Sequence, residues 1–493
     1  EENFLLLNSI KKTKIDRTFY NLFNLKKLKN IYKKIELFFV SFSKNTLSMN
    51  FTPAQQAAFD SYLNGENVFI TGPGGCGKSY FIQHVFKHAK ENQKKIQVTS
   101  MTGCSAILLN CCATTIHKWG CLGLGKGEEF DIYRRIIKMK KHENYIQTDI
   151  LILDEVSMLN EKLFEILNYL CQSFRKDKTK VFGGMQIIFS GDFYQLPPVC
   201  TDKSNSAEAN FCFQSSLWES TFHSSYVFDV NFRQHEDPKY FEMLKEIRQG
   251  NVSFDTIGEL IQCSKKQIDP EDPIQPTKIF PIKKTVDSMN TQELQKLSAK
   301  KYTYPIKICY NQNELPNFKS IAEKNIQNEM ELLMKNGIFE KDLVLCEGCQ
   351  VMCICNLDQE KNLVNGSQGV ILDFHYDAEK NNYYPRVKFD KIETPVIIKE
   401  HSWILEANKN YSLNQLPIIL SWAITTHKSQ GLSIEKALID IGNNIFEYGQ
   451  TYVALSRVKT LEGLYLTKVN AQKIKAHPKV IAFYKKLMKE TSM

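Results

Sequence analysis

The sequence predicts an α/β protein built on parallel sheets, with a small all-β insertion in its second half. Short apolar runs rich in β-branched residues recur at Val68–Thr71, Ile96–Ser100, 150–153, 185–190, 418–422 and Ala437–Ile441, each followed by a helical stretch. Alternation of that kind places parallel strands beneath covering helices. Between about 344 and 412 the alternation stops, and short strands are separated by turn signals at Asn365-Gly366 and 377–382. Size agrees: 493 residues suffice for about three domains. With 43% hydrophobic and 24% charged residues, a core can form without disulfide staples.

The first 50 residues stand apart. Residues 1–48 carry ten Lys or Arg against four acids and contain no Gly or Pro. They predict a basic N-terminal arm over 1–50. Lys dominates, and Glu1, Glu2, Asp16 and Glu36 intrude, unlike an Arg-rich, acid-poor mitochondrial presequence. Over the whole chain, 63 Lys and Arg against 54 Asp and Glu leave a net charge of +9, a balance that suits a polyanionic partner. The 14 cysteines form no framework, which predicts free thiols in a reducing, intracellular compartment. Nucleus, mitochondrion and viral replication site all stay open. No apolar run approaches the roughly 20 residues of a membrane span, so no membrane is expected as partner.

From Phe51 the α/β pattern begins, and its first strand leads into the most specific motif. Gly72-Pro73-Gly74-Gly75-Cys76-Gly77-Lys78-Ser79 follows an apolar strand and precedes a helical stretch at 80–87. This is the setting in which glycines let backbone N–H groups converge on phosphate oxygens. Gly72, Gly74, Gly75, Cys76 and Gly77 would form the cradle at a helix N-terminus. Lys78 would reach the β- and γ-phosphates of ATP, and the Ser79 hydroxyl would ligate Mg²⁺.

The strand at 150–153 ends in Asp154-Glu155. Carboxylates at the carboxyl end of a buried parallel strand face the ligand. Asp154 would hold Mg²⁺, and Glu155 would orient and activate the attacking water. After the strand at 185–190 comes Gly191-Asp192-Phe193-Tyr194-Gln195-Leu196-Pro197-Pro198, in which Gln195 could sense the γ-phosphate or its water.

Together these residues resemble the Pif1-like helicases, within the superfamily 1 group of 5′-to-3′ movers that includes RecD and Dda. The resemblance runs from about Phe51 to about Lys486. Phe51-Thr52-Pro53-Ala54-Gln55-Gln56 is similar to the adenine-recognising segment, with Gln55 at its glutamine. Met101-Thr102-Gly103-Cys104-Ser105-Ala106 resembles an element that touches the DNA backbone, with Ser105 where Ala is usual. Thr115-Ile116-His117-Lys118-Trp119-Gly120 resembles a second DNA element. Ser157-Met158 and the helical stretch 163–174 look like the family signature, with Asn168 where Glu is usual. Arg233-Gln234 is similar to the R-Q segment and implies an arginine finger, and Pro276-Thr277-Lys278 with Asn290 matches a downstream element. Asn365-Gly366-Ser367-Gln368-Gly369 resembles the turn of the inserted SH3-like domain. Ala423-Ile424-Thr425-Thr426-His427-Lys428-Ser429-Gln430-Gly431 and 449–457 match the last two motifs, with Arg457 as a second finger.

The resemblance implies two RecA-like motor domains. The first would span 51–225, with a small wedge insertion at about 115–145, around 123–127. The second would span 226–343 and 413–493, with an SH3-like insertion at 344–412. It implies an ATP-dependent DNA helicase that needs ATP and Mg²⁺, moves 5′ to 3′ as a monomer on single-stranded DNA, and opens duplex or forked DNA in genome maintenance, replication or recombination. Catalysis would fall to Lys78, Glu155, Gln195, Arg233 and Arg457. DNA would be gripped by Thr102, Gly103, Ser105, His117, Asn290, Thr426, His427 and Lys428, with Trp119 and Phe193 as stacking platforms or core residues.

Three rivals make different demands. An RNA or RNA–DNA hybrid helicase of the same superfamily would use the same backbone grips. A hydrolysis-dead scaffold would show damage at Lys78, Glu155 or Arg457, and all three are intact. A small-molecule kinase would not need residues 226–493. Cys346, Cys349, Cys353 and Cys355 invite a metal reading, but their spacing is not a standard ligand set. Cys349, Cys353 and Cys355 share strand parity with Val351, so they read as small apolar residues on one strand face.

Overall fold

A computed structural model describes residues 51–109, 111–123, 127–198, 210–310, 340–358, 361, 363–404 and 411–491. The basic arm expected at 1–50 lies outside them, as do residues 124–126 of the expected wedge. Contacts divide the chain between Thr52 and Pro53.

The first half is a six-stranded, wholly parallel sheet. Its strands are β1 (Val68–Thr71), β2 (Ile96–Ser100), β3 (Thr114–Thr115), β4 (Ile150–Asp154), β5 (Gln186–Gly191) and β6 (Ser224–Val227), in the order β3-β2-β4-β5-β1-β6. All five residues of β4 are buried, which is why that strand reads as a continuous apolar run rather than an alternating one. Helices Lys78–Glu91 and Glu161–Arg175 follow β1 and β4. The second starts on Asn160, whose side chain accepts from the Leu163 N–H at 2.8 Å.

The core of this half is aromatic: Phe69, Phe164, Phe189, Phe193, Phe211 and Trp218 pack as one cluster. Phe193 is among them, fully buried, and Trp119 is buried against Tyr145 with ring centroids 4.9 Å apart. Both rings belong to the core and present no face for a base to stack on. Asn168 has a structural post: its Oδ1 accepts from the Phe182 N–H at 2.8 Å, fixing a residue with φ of 50°.

The chain's last helix, Pro478–Thr491, packs into the same cluster through Val480, Tyr484 and Leu487. The sequence placed this stretch with the second half. Its apolar face instead meets the aromatic nest, where Phe483 stacks on Phe213 at 4.4 Å.

The second half opens with helices Pro238–Gln249 and Phe254–Lys265, and its first strand is β7 (Thr277–Phe280). There follow β8 (Tyr302–Pro305), β9 (Lys307–Tyr310), β10 (Asp342–Leu345), β11 (Gln350–Cys353), β12 (Gln368–Asp377), β13 (Asn382–Phe389), β14 (Val396–Ile397), β15 (His401–Ile404), β16 (Tyr411–Gln415) and β17 (Ile418–Leu420). These form antiparallel sheets in the orders β10-β8, β14-β13-β12-β11-β17 and β15-β16-β9. The all-β region therefore draws on strands on both sides of 344–412. The chain then returns through β18 (Ala423–Thr425), β19 (Ala437–Ile441) and β20 (Leu464–Val469) to a parallel sheet in the order β18-β7-β19-β20.

The run at 418–422 is not one parallel strand. Residues 418–420 pair antiparallel with β11, and at Ser421 the chain changes sheets so that Ala423 lies beside Lys278 of β7. Buried Gln350 holds that corner, donating to the carbonyls of Gln275 at 2.8 Å and Ser421 at 3.2 Å.

Cys346, Cys349 and Cys353 are buried in an apolar core with Leu345, Val351 and Ile371. No group of three metal-ligating side chains occurs among the described residues, and no described helix is long and apolar enough to cross a membrane.

Candidate functional site

Side chains from both halves meet at the loop between β1 and helix Lys78–Glu91. Gly75 and Gly77 hold φ of 85° and 84°, conformations that L side chains rarely adopt. Gly72 is constrained by space: a Cβ there would stand 2.1 Å from the Phe228 carbonyl oxygen. Cys76 is buried within the loop, and Ser79 is exposed on the helix's first turn. Lys78 curls over the loop, donating Nζ to the carbonyls of Gly72 at 2.7 Å and Pro73 at 2.8 Å. Gln55, buried on helix Pro53–Leu63, donates Nε2 to the Cys76 carbonyl at 3.5 Å.

Both arginines from the second half arrive at this loop. A Cβ built on Gly74 would lie 3.2 Å from Arg457 Nη2 and 3.3 Å from Arg233 Nη1. Arg233 is steadied by donating Nε to Ser433 Oγ at 2.9 Å and Nη1 to the Ser456 carbonyl at 3.0 Å. Arg457 donates Nε to the Val453 carbonyl at 2.9 Å and Nη2 to Ser456 Oγ at 2.8 Å. Burial first, then the neighbouring Arg457 cation, lowers the Arg233 pKa to about 9. Burial likewise lowers that of Arg457. A half-buried and a buried cation side by side are electrostatically unfavourable, and the pair suits an anionic ligand.

Opposite them sit the carboxylates at the end of β4. Asp154 is buried and accepts from Ser190 Oγ at 2.7 Å. Burial raises its pKa, against the hydrogen bonds and the Lys78 charge. Glu155 adopts φ of 57°. Burial and then the Asp154 charge push its pKa up to about 7, while Lys78, Arg457 and a hydrogen bond from Gln430 pull the other way. Gln430 Nε2 donates to Glu155 Oε2 at 2.8 Å and lies 3.4 Å from Gln195 Oε1. The predicted residues Lys78, Asp154, Glu155, Gln195, Arg233 and Arg457 thus converge on one cleft.

Four further participants were missed. Gln430 lies inside the 423–431 motif, but the motif names no partner for it. Tyr452 Oη accepts from the Gly74 N–H at 3.0 Å. Ser456 buttresses both arginines. The half-exposed ring of Phe232 stands 3.3 Å from where a Gly77 Cβ would be.

The expected DNA contacts divide. Thr102, Gly103, Ser105 and His117 follow the carboxyl ends of β2 and β3. Thr102 Oγ1 accepts from the Ser105 N–H at 3.2 Å, and the Ser105 hydroxyl bonds the Asp154 carboxylate. Burial lowers the His117 pKa. Thr426 and Lys428 lie on the short helix Thr426–Ser429 after β18. Thr426 is buried, and the His427 side chain lies outside the described residues. The segments that carry the two groups come close just beyond them, where a Cβ on Gly431 would stand 2.7 Å from Leu108 Cδ1.

Asn290 does not join them. Its amide accepts from the Ala423 N–H at 2.9 Å and donates to the Ala423 carbonyl at 3.0 Å. It extends the sheet edge beside β18 instead of reaching outward.

Comparison with known proteins places this geometry. A family profile described as PIF1-like helicase matches residues 50–258, and one described as the 2B domain of DNA helicase Pif1 matches 330–374. An ATP-dependent DNA helicase PIF1 of Emericella nidulans is 30% identical over 479 residues, which cover 86% of this chain and 61% of that protein. The chain thus spans less than two thirds of that relative. An ATP-dependent DNA helicase Pif1 of Bdellovibrio bacteriovorus is 30% identical over 88% of this chain and 91% of its own length. Pif1 of Bacteroides sp, solved in complex with ADP-AlF4, aligns with a TM-score of 0.72 at 25% identity, covering 90% of this chain and 98% of that one. The Bacteroides protein bound to ssDNA aligns over the same shares with a TM-score of 0.57.

Proposed function

The chain belongs to the PIF1-like helicase family, and from that premise we propose that it is an ATP-driven motor that moves along single-stranded DNA and parts duplex or forked DNA. The observation that carries the reading is the pair of arginines from the second half lying against Gly74 of the phosphate loop.

ATP would occupy the loop, with Gln55 at the adenine side. Lys78 would exchange the Gly72 and Pro73 carbonyls for phosphate oxygens. Ser79 and Asp154 offer the oxygen-only donors that a hard cation takes, and they would hold Mg²⁺, which when bound neutralises phosphate charge. Glu155, held by Gln430, would align the attacking water and accept its proton, and Gln195 would stand at the γ-phosphate. Arg233 and Arg457 would stabilise the charge of the transferring phosphoryl group, a contribution of about 10³–10⁵ in rate for a finger of this type. Hydrolysis and loss of the γ-phosphate would remove the anion that Arg233 and Arg457 share with the loop, so the cleft would relax and the halves shift.

The track would run over 102–105, His117 and 426–428. The lower TM-score against the ssDNA-bound relative than against the ADP-AlF4 complex supports a change of conformation on DNA. Movement 5′ to 3′, action as a monomer, and work in replication, recombination or genome maintenance within a reducing, intracellular compartment belong to the same reading.

The test is steady-state ATP hydrolysis with and without single-stranded DNA, for wild type and Glu155→Gln. Stimulation by DNA that the variant lacks is the expected result. Hydrolysis indifferent to DNA but stimulated by RNA would reassign the track, and no hydrolysis in the wild type would overturn the motor.

A further inference from the structure

One buried cluster at the junction of the halves has no part in that chemistry. Asp192, immediately after β5, is fully buried. Arg248, near the end of helix Pro238–Gln249 in the second half, grips it with both prongs. Nε donates to Oδ2 at 2.9 Å and Nη2 to Oδ1 at 2.8 Å. The guanidinium lies 4.4 Å from the Tyr194 ring centre and 5.0 Å from that of Tyr484. Those two rings stack at 4.6 Å and 12°. Tyr484 Oη also donates to Asp192 Oδ1 at 3.3 Å, accepts from the Phe193 N–H at 3.2 Å, and lies 2.5 Å from Oγ1 of Thr71, the residue before the phosphate loop. Burial alone would lower the Arg248 pKa, but Asp192 and the tyrosines outweigh it and hold it above its ordinary value.

The place of the cluster matters as much as its strength. Helix Pro238–Gln249 ends at Gly250, where a Cβ would stand 2.6 Å from the Ala476 N. Just beyond Ala476 the chain passes back into the first half. Breaking a buried bidentate pair strands a charge, so rotation about it costs less than opening it. The pair also lies one step from three site residues. The Asp192 carbonyl accepts from the Gln195 N–H at 2.9 Å. Helix Pro238–Gln249 closely follows Arg233 in the chain, and its Tyr240 Oη donates at 2.7 Å to the Leu455 carbonyl, two residues before Arg457.

We propose that the Asp192–Arg248 pair, clamped by Tyr484, is the pivot of the two halves. It stays made while the cleft at the phosphate loop opens and closes, and it thereby positions Gln195, Arg233 and Arg457. The proposal rests on the ATP-driven reading above, and Arg248 and Tyr484 act in it as positioning residues.

The experiment compares wild type with Arg248→Met, Arg248→Lys and Tyr484→Phe. It measures kcat and KM for ATP with single-stranded DNA. It also measures energy transfer between dyes placed at the exposed Lys162 and Lys265, with and without ADP–aluminium fluoride. Loss of the fork should lower kcat about 100-fold in both Arg248 variants, the scale of a small misplacement of catalytic groups. KM should change little, and the transfer distribution should broaden. Lysine does not rescue, because a point charge lacks the planar fork. Tyr484→Phe should show a smaller loss of the same kind.

A folded Arg248→Lys protein with wild-type kcat and transfer would overturn the pivot, and so would losses that follow melting temperature alone. If Arg248→Met does not fold, Arg248→Lys and Tyr484→Phe decide. If the wild type hydrolyses no ATP, the motor reading fails separately. The transfer width of the nucleotide-free protein then decides the pivot, with broadening in Arg248→Lys supporting it and no change overturning it.

Discussion

Glu155 is caught between opposing fields, and its titration is the most direct residue-scale test of the site. Burial and Asp154 disfavour its charge, while Lys78, Arg457 and the Gln430 amide favour it, leaving the pKa at about 7. Only the carboxylate can accept a proton from water, so DNA-stimulated hydrolysis should fall as pH drops through about 7. Gln430→Leu removes a hydrogen bond made to the charged form, so the pKa should rise and the acid limb of the kcat–pH profile should move to higher pH. An unmoved limb in a folded Gln430→Leu protein would show that Glu155 does not govern it. Glu155→Gln should lose the limb altogether and about 10²–10⁴ in kcat. The phosphate loop and both carboxylates were legible because each is a short local pattern with its chemistry in adjacent residues. The partner that holds Glu155 was not, because Gln430 lies 275 positions away and only folding brings it near.

Where strands begin and end, local pattern misled. The apolar run at 418–422 reads as one strand, yet it serves two sheets, and nothing in its hydropathy marks the change of partner at Ser421. What marks it is amide chemistry contributed by other segments, Gln350 at the corner and Asn290 beside β18. Asn290 was read as a DNA contact because its motif suggested one. With its amide committed to both backbone groups of Ala423, it behaves as a prosthetic strand. Asn290→Ala should therefore cost about 1–3 kcal/mol of stability, the range for leaving buried backbone groups unpaired. Affinity for single-stranded DNA should barely move. Thermal unfolding and a fluorescence-anisotropy titration separate the outcomes, and weakened DNA binding at unchanged stability would restore the original reading. The Asn365-Gly366 turn shows pattern and packing in agreement. Gly366 has φ of 99°, and a Cβ there would stand 2.3 Å from the Ser433 carbonyl oxygen. The turn signal was correct, and the further reason for glycine is the close approach of the segment that carries Ser433. Gly366→Ala should loosen that contact and so disturb Ser433, which steadies Arg233. A drop in kcat with unchanged DNA affinity would follow.

Across the whole molecule, chain order and spatial order part company at the last helix. The alternation of strands and helices correctly announced two parallel sheets. An amphipathic helix, however, does not name the sheet it covers, and Pro478–Thr491 covers the first. The aromatic core around Phe193, Phe213 and Trp218 is therefore closed by a helix that lies far from it in the chain. Two neighbouring positions test this. Leu487 is buried in the cluster, whereas Met488 is 56% exposed. Leu487→Ala should cost about 2–5 kcal/mol, as for other large-to-small core changes. Met488→Ala should stay within about 0.5 kcal/mol, as for ordinary surface changes. Hydrogen exchange then locates the damage. If the helix belongs to the first half, Leu487→Ala should raise exchange in β1 and β5 before β19 and β20, because opening spreads through the unit that lost its contact. Faster exchange confined to β19 and β20 would return the helix to the second half. It would also remove the support that Tyr484 gives Asp192. The same helix carries both the apolar seal of the first core and the hydroxyl at the proposed pivot, so a defect in the seal should reach the proposed nucleotide cleft through Asp192 and Gln195 without touching the proposed DNA track.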